Sequence, residues 1–260
     1  TKKIYLNEGK TVQQLDTLFV YTAVATLVGA RLGDCFFYNW DYFKDHLLEI
    51  FLPIKEKVGG GWQLTGFSGL ASHGAAVGII IAMLLYVRKY KDIKLSWILD
   101  RVVIPITIGG MFVRFGNFFN SEINGKIVSD QYPLGVKFVQ NGMLSPQRAM
   151  ALTEQTDAQE AYKLITHDPR YAEVLASIPY QHPAQLYEAF GYFCLFWVLW
   201  YVYWKTDKKG QPYFIFGLFL VLLWGIRFAV EFVKESQGGF ESTLGLLYTG
   251  QWLSIPFIIA

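Results

Sequence analysis

Residues 184–204 read AQLYEAFGYFCLFWVLWYVYW and hold a single ionisable acid, Glu188. A run of this length and apolarity matches the ~20 residues that a helix needs to cross the hydrocarbon core of a bilayer. Outward from it, residues 211–226 and 242–260 carry no charge at all, and charges elsewhere collect in short clusters between apolar stretches. The composition agrees: 53% apolar and only 17% charged residues is poor in charge for a soluble globule. Six membrane helices are expected, at 16–38, 69–87, 97–119, 184–204, 213–233 and 246–260, which makes the fold class an all-α polytopic membrane protein. Residues 1–260 read as one transmembrane domain, with residues 120–183 inserted in it as a small extramembrane head.

Orientation follows from the connections. Arg88, Lys89, Lys91 and Lys94 crowd one short loop, Lys205, Lys208 and Lys209 another, and Lys2, Lys3 and Lys10 the start. The positive-inside rule puts all three on the cytoplasmic side, so the longer connections 39–68, 120–183 and 234–245 face the exterior. Within the head, Ser145-Pro146 has the pattern of an N-cap followed by proline in the first turn, and a surface helix is expected from there to Thr166. His167-Asp168-Pro169 interrupts it before a short helix at 171–176.

The net charge of +2 and the lack of an arginine-rich face with interleaved aromatics exclude a nucleic-acid partner. Cys35 and Cys194 both fall in apolar segments without the spacing of a metal site or redox pair, and both are expected to be buried thiols. No metal site is expected. The polar start without an initiator methionine, and a far end inside an apolar run, lead us to expect that both ends are incomplete.

A charge inside a span costs about 2.5 kcal/mol or more on insertion scales, so each one asks for a partner, a wet cavity or a function. Under the topology above, His73, Arg114, Glu188, Arg227 and Glu231 all lie toward the outer ends of their helices, and they are expected to meet in one outer-leaflet cavity. Arg227 and Glu231, four apart, also suit an intrahelical ion pair, and a lone histidine such as His73 is as often a hydrogen-bonded interface group as a base. Asp100 and Arg101, at the other end, read as topology or salt-bridge residues without chemistry.

The run RFGNFFNSE at 114–122 places Arg114, Asn117 and Asn120 at i, i+3 and i+6, one stripe of a continuing helix. A guanidinium fork suits a phosphodiester, and asparagine bonds ester or hydroxyl oxygens without adding charge, so a phospholipid head group fits the stripe. An interhelical polar clamp fits it as well.

At these residues the sequence resembles the prolipoprotein diacylglyceryl transferase family, whose signature Arg-x-Gly-Asn-Phe-x-Asn-x-Glu-x-x-Gly is met by RFGNFFNSEING at 114–125. SGLASHG at 68–74 precedes it, and HPAQLYEA at 182–189 and RFAVEF at 227–232 follow, in the family's order. The resemblance implies seven transmembrane helices with an exterior amino terminus, so the first, tyrosine-bearing helix is expected to be absent from this chain. The linker between Gly125 and His182 is longer than in many relatives, and Ala75 stands where a second glycine usually follows the motif histidine.

The resemblance further implies transfer of an sn-1,2-diacylglyceryl group from phosphatidylglycerol to the lipobox cysteine of preprolipoproteins in the bacterial inner membrane, without metal or organic cofactor. His73 is the candidate base, Arg114 and Arg227 the phosphate clamp, and Glu231 the group orienting Arg227. Asn117, Asn120, Glu122, Gly125, His182, Gln185, Tyr187 and Glu188 complete the expected substrate-binding set. Because arginines can lower a thiol pKa unaided, a dedicated base is not obligatory.

Two rivals compete. Gly66-Phe67-Ser68-Gly69 matches the Gly-x-Ser-Gly pattern of a rhomboid-like intramembrane serine protease with Ser68 as nucleophile, but no later helix carries a histidine within it. A transporter would spread its ionisable groups through the membrane depth and show internal repeats, and neither is found.

Overall fold

The computed structural model describes residues 1–57, 60–66, 69–140, 144–235 and 247–259. Ser68 and most of the connection 234–245 therefore lie outside the described residues. The chain divides into two compact units, Thr1–Leu99 and Asp100–Ala260.

The first unit starts with a short helix α1 (Lys2–Asn7) and then α2 (Val12–Phe37), begun by a capping box in which Thr11 and Gln14 exchange side-chain and backbone hydrogen bonds. Short helices α3 (Trp40–Phe43) and α4 (Leu47–Phe51) and a hairpin of β1 (Ile54–Glu56) and β2 (Trp62–Leu64) follow. Helix α5 (Ser72–Lys89) packs along α2 through Gly29, Gly33, Gly74 and Gly78. Glycine is required by the closeness of this crossing: a Cβ on Gly33 would come within 2.7 Å of the Gly74 Cα, and one on Gly29 would press on the Gly74 carbonyl.

No expectation covered Arg31 and Asp34, two charges inside α2 that are buried. Arg31 donates to the carbonyls of Glu49 (2.5 Å) and Ile50 (3.3 Å). The Glu49 carboxylate accepts from the Tyr42 hydroxyl (2.8 Å) and the Glu56 amide (2.9 Å), so α4, α3 and the hairpin are tied to the end of α2.

Helix α6 (Leu95–Phe119) begins in the first unit and runs into the second. There β3 (Ile127–Val128), β4 (Val136–Lys137) and β5 (Tyr180–Gln181) form a small antiparallel sheet with β5 in the centre. Between β4 and β5 lie α7 (Pro146–Thr153), α8 (Ala158–His167) and α9 (Ala172–Ser177) around a core of Leu144, Ala149, Ala161, Tyr162, Ile165 and Ile178. The expected N-cap holds: Ser145 accepts from the Arg148 amide. The single helix expected to Thr166 is corrected to two, because Glu154 turns left-handed at φ 57° and Asp157 caps a fresh start by accepting from the Glu160 amide.

Helices α10 (Ala184–Lys205), α11 (Phe214–Glu231) and α12 (Thr249–Ile259) complete the unit. α11 and α12 pack as a pair, with Trp224 stacked on Phe257 at 4.4 Å. Along α10 the buried stripe is Gln185, Glu188, Tyr192, Leu195, Leu199 and Tyr203. The opposite stripe, Phe190, Cys194, Trp197 and Tyr201, is exposed. Cys35 is buried as expected, whereas Cys194 is not, because it lies on the stripe turned away from α10's packing partners. Among the described residues, four helices are long and apolar enough to cross a membrane: α2, α6, α10 and α11.

Candidate functional site

The second unit gathers most of the expected residues where α6 ends, α10 begins and α11 ends. Arg114, in the last turns of α6, forms an ion pair through Nε with the Glu188 carboxylate in the second turn of α10. Glu188 is buried and Arg114 largely so, at 3% and 13% side-chain exposure, and such a pair holds only with good geometry because desolvating two charges is costly. With its amide oriented so that both ends are satisfied, Asn117 accepts from Arg114 Nη1 (3.0 Å) and donates to the Val113 carbonyl (3.2 Å). The guanidinium, which also hydrogen-bonds the Tyr192 side chain, is thus held in place, and these three partners among the described residues account for fewer than its five N–H groups.

The expected stripe is corrected beyond Asn117. Helix α6 stops at Phe119, Ser121 and Ile123 adopt positive φ, and Asn120 and Glu122 stand on the turn that follows, with Asn120 Nδ2 donating to Glu122 Oε1 at 3.3 Å. The chain folds back here because the Glu122 amide closes on the Asn117 carbonyl (2.8 Å). Asn124, which no sequence pattern singles out, is buried in this turn. Gln185 Nε2 donates both to Asn124 Oδ1 and to the Glu122 carbonyl, at 2.6 Å each, so the first turn of α10 reads the backbone of the loop.

Gly125 is explained by close approach. A Cβ there would meet the His182 Cβ at 2.5 Å, the His182 carbonyl at 2.6 Å and the Val233 carbonyl at 2.7 Å. The Gly125 amide donates to the His182 carbonyl (2.9 Å) and the Lys126 amide to the Val233 carbonyl (2.8 Å), joining the three segments. His182 Nδ1 lies 3.2 Å from the Tyr187 hydroxyl, which is 3.3 Å from that of Tyr132. Burial, and then the Lys126 charge, holds the His182 imidazole below the usual histidine pKa. Lys126 itself donates to the Phe232 carbonyl (2.8 Å) and the Tyr248 hydroxyl (2.6 Å).

The expected pairing of Arg227 with Glu231 is not formed. The Arg227 guanidinium sits over the Trp224 ring at 5.0 Å, and the Glu231 carboxylate lies 3.6 Å from Lys234 Nζ and against Gly250 at the start of α12. A cation over an indole face and a carboxylate at a helix N-terminus are each favourable alternatives to the i, i+4 pair. Tyr192, buried one turn after Glu188 with its ring against Gly110, hydrogen-bonds Arg114 and lies within electrostatic reach of Glu188 and Arg227. Read from sequence, Tyr192 is one aromatic among many in an apolar run, and nothing there singles it out. His73 belongs to the first unit, in the first turn of α5, with Nδ1 3.4 Å from the Tyr38 hydroxyl.

The comparisons with known proteins bear on this arrangement. A family model for prolipoprotein diacylglyceryl transferase matches residues 1–260. The phosphatidylglycerol--prolipoprotein diacylglyceryl transferase of Bacteroides fragilis is 38% identical over 247 residues, which cover 95% of this chain and 75% of that protein. Its namesake in Tolumonas auensis is 36% identical over 259 residues, 100% of this chain and 81% of that protein. That of Chloroherpeton thalassium is 34% identical over 259 residues, 99% and 77% of the two chains. With the signature residues of 114–125 folded around the arginine that pairs with Glu188 and with these matches, the chain belongs to the prolipoprotein diacylglyceryl transferase family.

Proposed function

We propose that this protein transfers the sn-1,2-diacylglyceryl group of phosphatidylglycerol to the lipobox cysteine of preprolipoproteins. The thiol sulfur attacks the glyceryl carbon, a thioether forms, the carbon–oxygen bond breaks, and glycerol 1-phosphate leaves with the electron pair. The observation that carries this reading is the largely buried Arg114, fixed by Glu188, Asn117 and Tyr192, which among the described residues leave N–H groups to spare. A donor set organised in advance, in a dry site, is what a phosphate leaving group requires as its charge grows.

Arg114 and Arg227 together stabilise the departing phosphate. His73 takes the thiol proton, which a thiol of pKa ~8.5 retains at neutral pH. Asn117, Asn120 and Glu122 position head-group oxygens, and Gly125, His182, Gln185, Tyr187 and Glu188 shape the pocket mouth. Glu231 acts from a distance, by fixing the ends of α11 and α12 around Arg227. The reaction needs neither metal nor organic cofactor.

We further propose that α5 and α12 complete six spans in this chain, in the bacterial inner membrane. The segment 120–183 stands as a head on the outer side, where the Arg114 cluster also lies. The assay that tests the function combines the purified full-length protein, phosphatidylglycerol vesicles and a lipobox peptide, and follows released glycerol phosphate together with the peptide's mass. Coupled appearance of glycerol phosphate and diacylglyceryl-peptide is expected. Peptide cleavage without lipidation would instead favour the protease reading.

A further inference from the structure

Among the described residues of the second unit, two acceptor oxygens are buried without a hydrogen-bond partner although their side chains are otherwise held: Gln185 Oε1 and Glu188 Oε1. Gln185 is 1% and Glu188 2% exposed. Their orientation is not arbitrary. Both hydrogens of Gln185 Nε2 are taken by the Glu122 carbonyl and Asn124 Oδ1, so the amide cannot flip without losing two bonds. Glu188 spends its other oxygen on Arg114 Nε. A spacing of i, i+3 puts the two side chains on one face of α10, about 5–6 Å apart at Cβ.

Buried acceptors left open are uncommon and costly, roughly as costly as a lost hydrogen bond each. They remain open here beside a guanidinium that has N–H groups uncommitted, so the cluster offers donors for an anion and, adjacent to them, two acceptors for donors. A ligand complementary to both has a phosphate next to a pair of hydroxyls. The head group of phosphatidylglycerol is a phosphate carrying a glycerol with two free hydroxyls.

We infer that Gln185 Oε1 and Glu188 Oε1 accept hydrogen bonds from the head-group hydroxyls and thereby select a glycerol head group, a role that rests on the transferase reading above. Gln185 is a specificity residue and Glu188 serves twice, orienting Arg114 with one oxygen and reading a hydroxyl with the other. Selection follows from the asymmetry of buried hydrogen bonds: a head group lacking a hydroxyl leaves an acceptor unpaired in the complex, a larger penalty than a missing apolar contact.

The test uses the full-length protein with three lipids of identical acyl chains: phosphatidylglycerol, the analogue in which the head group is 3-hydroxypropyl, and the analogue in which it is propyl. Phosphate and reacting carbon are unchanged throughout. Lipidation of a lipobox peptide is expected to fall in kcat/KM by roughly tenfold or more at each hydroxyl removed. In Gln185→Met, which keeps chain length and removes the acceptor, the ratio between the first two lipids is expected to shrink toward one. Thermal stability in the same detergent reports whether that variant is folded.

Equal kcat/KM for the three lipids with the wild-type protein would overturn the assignment while leaving the transferase reading intact. Absence of lipidation with every lipid would overturn both. A Gln185→Met protein that discriminates among the lipids as the wild type does, but has a raised KM for the peptide, would mean that the open acceptors face peptide amides, and would overturn it as well.

Discussion

The two ends of α6 each bury an acid–base pair, and the contrast between them separates structure from chemistry. At the start, both Asp100 oxygens accept from backbone amides, of Tyr213 and Phe216 at 2.8 Å each, where α11 begins. Arg101 donates to the Lys209 carbonyl at 2.9 Å. At the far end, Arg114 meets Glu188, yet an oxygen of Glu188 and one of Gln185 find no partner among the described residues. Asp100 and Glu188 are almost equally buried, at 1% and 2% exposure. Burial and charge therefore fail to mark a site by themselves; between these two carboxylates the difference is unspent acceptor capacity.

The largest effect is expected at the unfilled end. Arg114→Lys keeps the charge but loses the planar fork, and removing an organised transition-state donor costs about 2.7–4 kcal/mol, roughly a hundredfold or more in rate. Glycerol phosphate release should collapse while the thermal midpoint in detergent stays close to that of the wild type. Near-normal turnover would erase the distinction between the two ends.

At the filled end the signs reverse. Asp100→Ala removes the acceptor of two amide bonds at the start of α11, and a stability loss of about 2 kcal/mol is expected, with turnover per folded molecule preserved. An Asp100→Ala protein of normal stability and poor turnover would move chemistry to that end. The smallest effect belongs to the head: Ser145→Ala should loosen α7 by about 1 kcal/mol, visible as faster amide exchange at Arg148 and Ala149, without altering lipidation.

What sequence made legible divides along the same physical lines. A bilayer fixes the length of apolar helices, so 184–204 and 97–119 anticipate Ala184–Lys205 and Leu95–Phe119 closely. Arg114 and Glu188 are legible as members of one cluster because their insertion cost demands an explanation, but their pairing with each other is not legible from spacing. Direction around a helix is not: beyond its second turn α10 carries apolar and aromatic residues on both its packed and its exposed stripe, which is why Cys194 is expected inside and Tyr192 is not singled out. Turn geometry after Phe119 and the left-handed Glu154 depend on tertiary closure, and two-residue strands leave no periodic trace. Arg227 illustrates the remaining gap. Spacing nominates Glu231 as its partner, whereas Trp224 and Lys234 compete successfully for the two groups.

The glycine crossing of α2 and α5 sets limits on how this sequence can drift. Gly29 and Gly74 are each fenced by the other's carbonyl, so a methyl group added at either one needs a helix to slide rather than a rotamer to adjust. No single-step path of small substitutions passes through that contact, while exposed neighbours on α2 such as Phe19, Val24 and Leu27 are free to exchange among apolar types. His73 sits beside one of these locked positions, so its height along α2 is inherited from backbone against backbone. Compensating side-chain changes elsewhere cannot reset it.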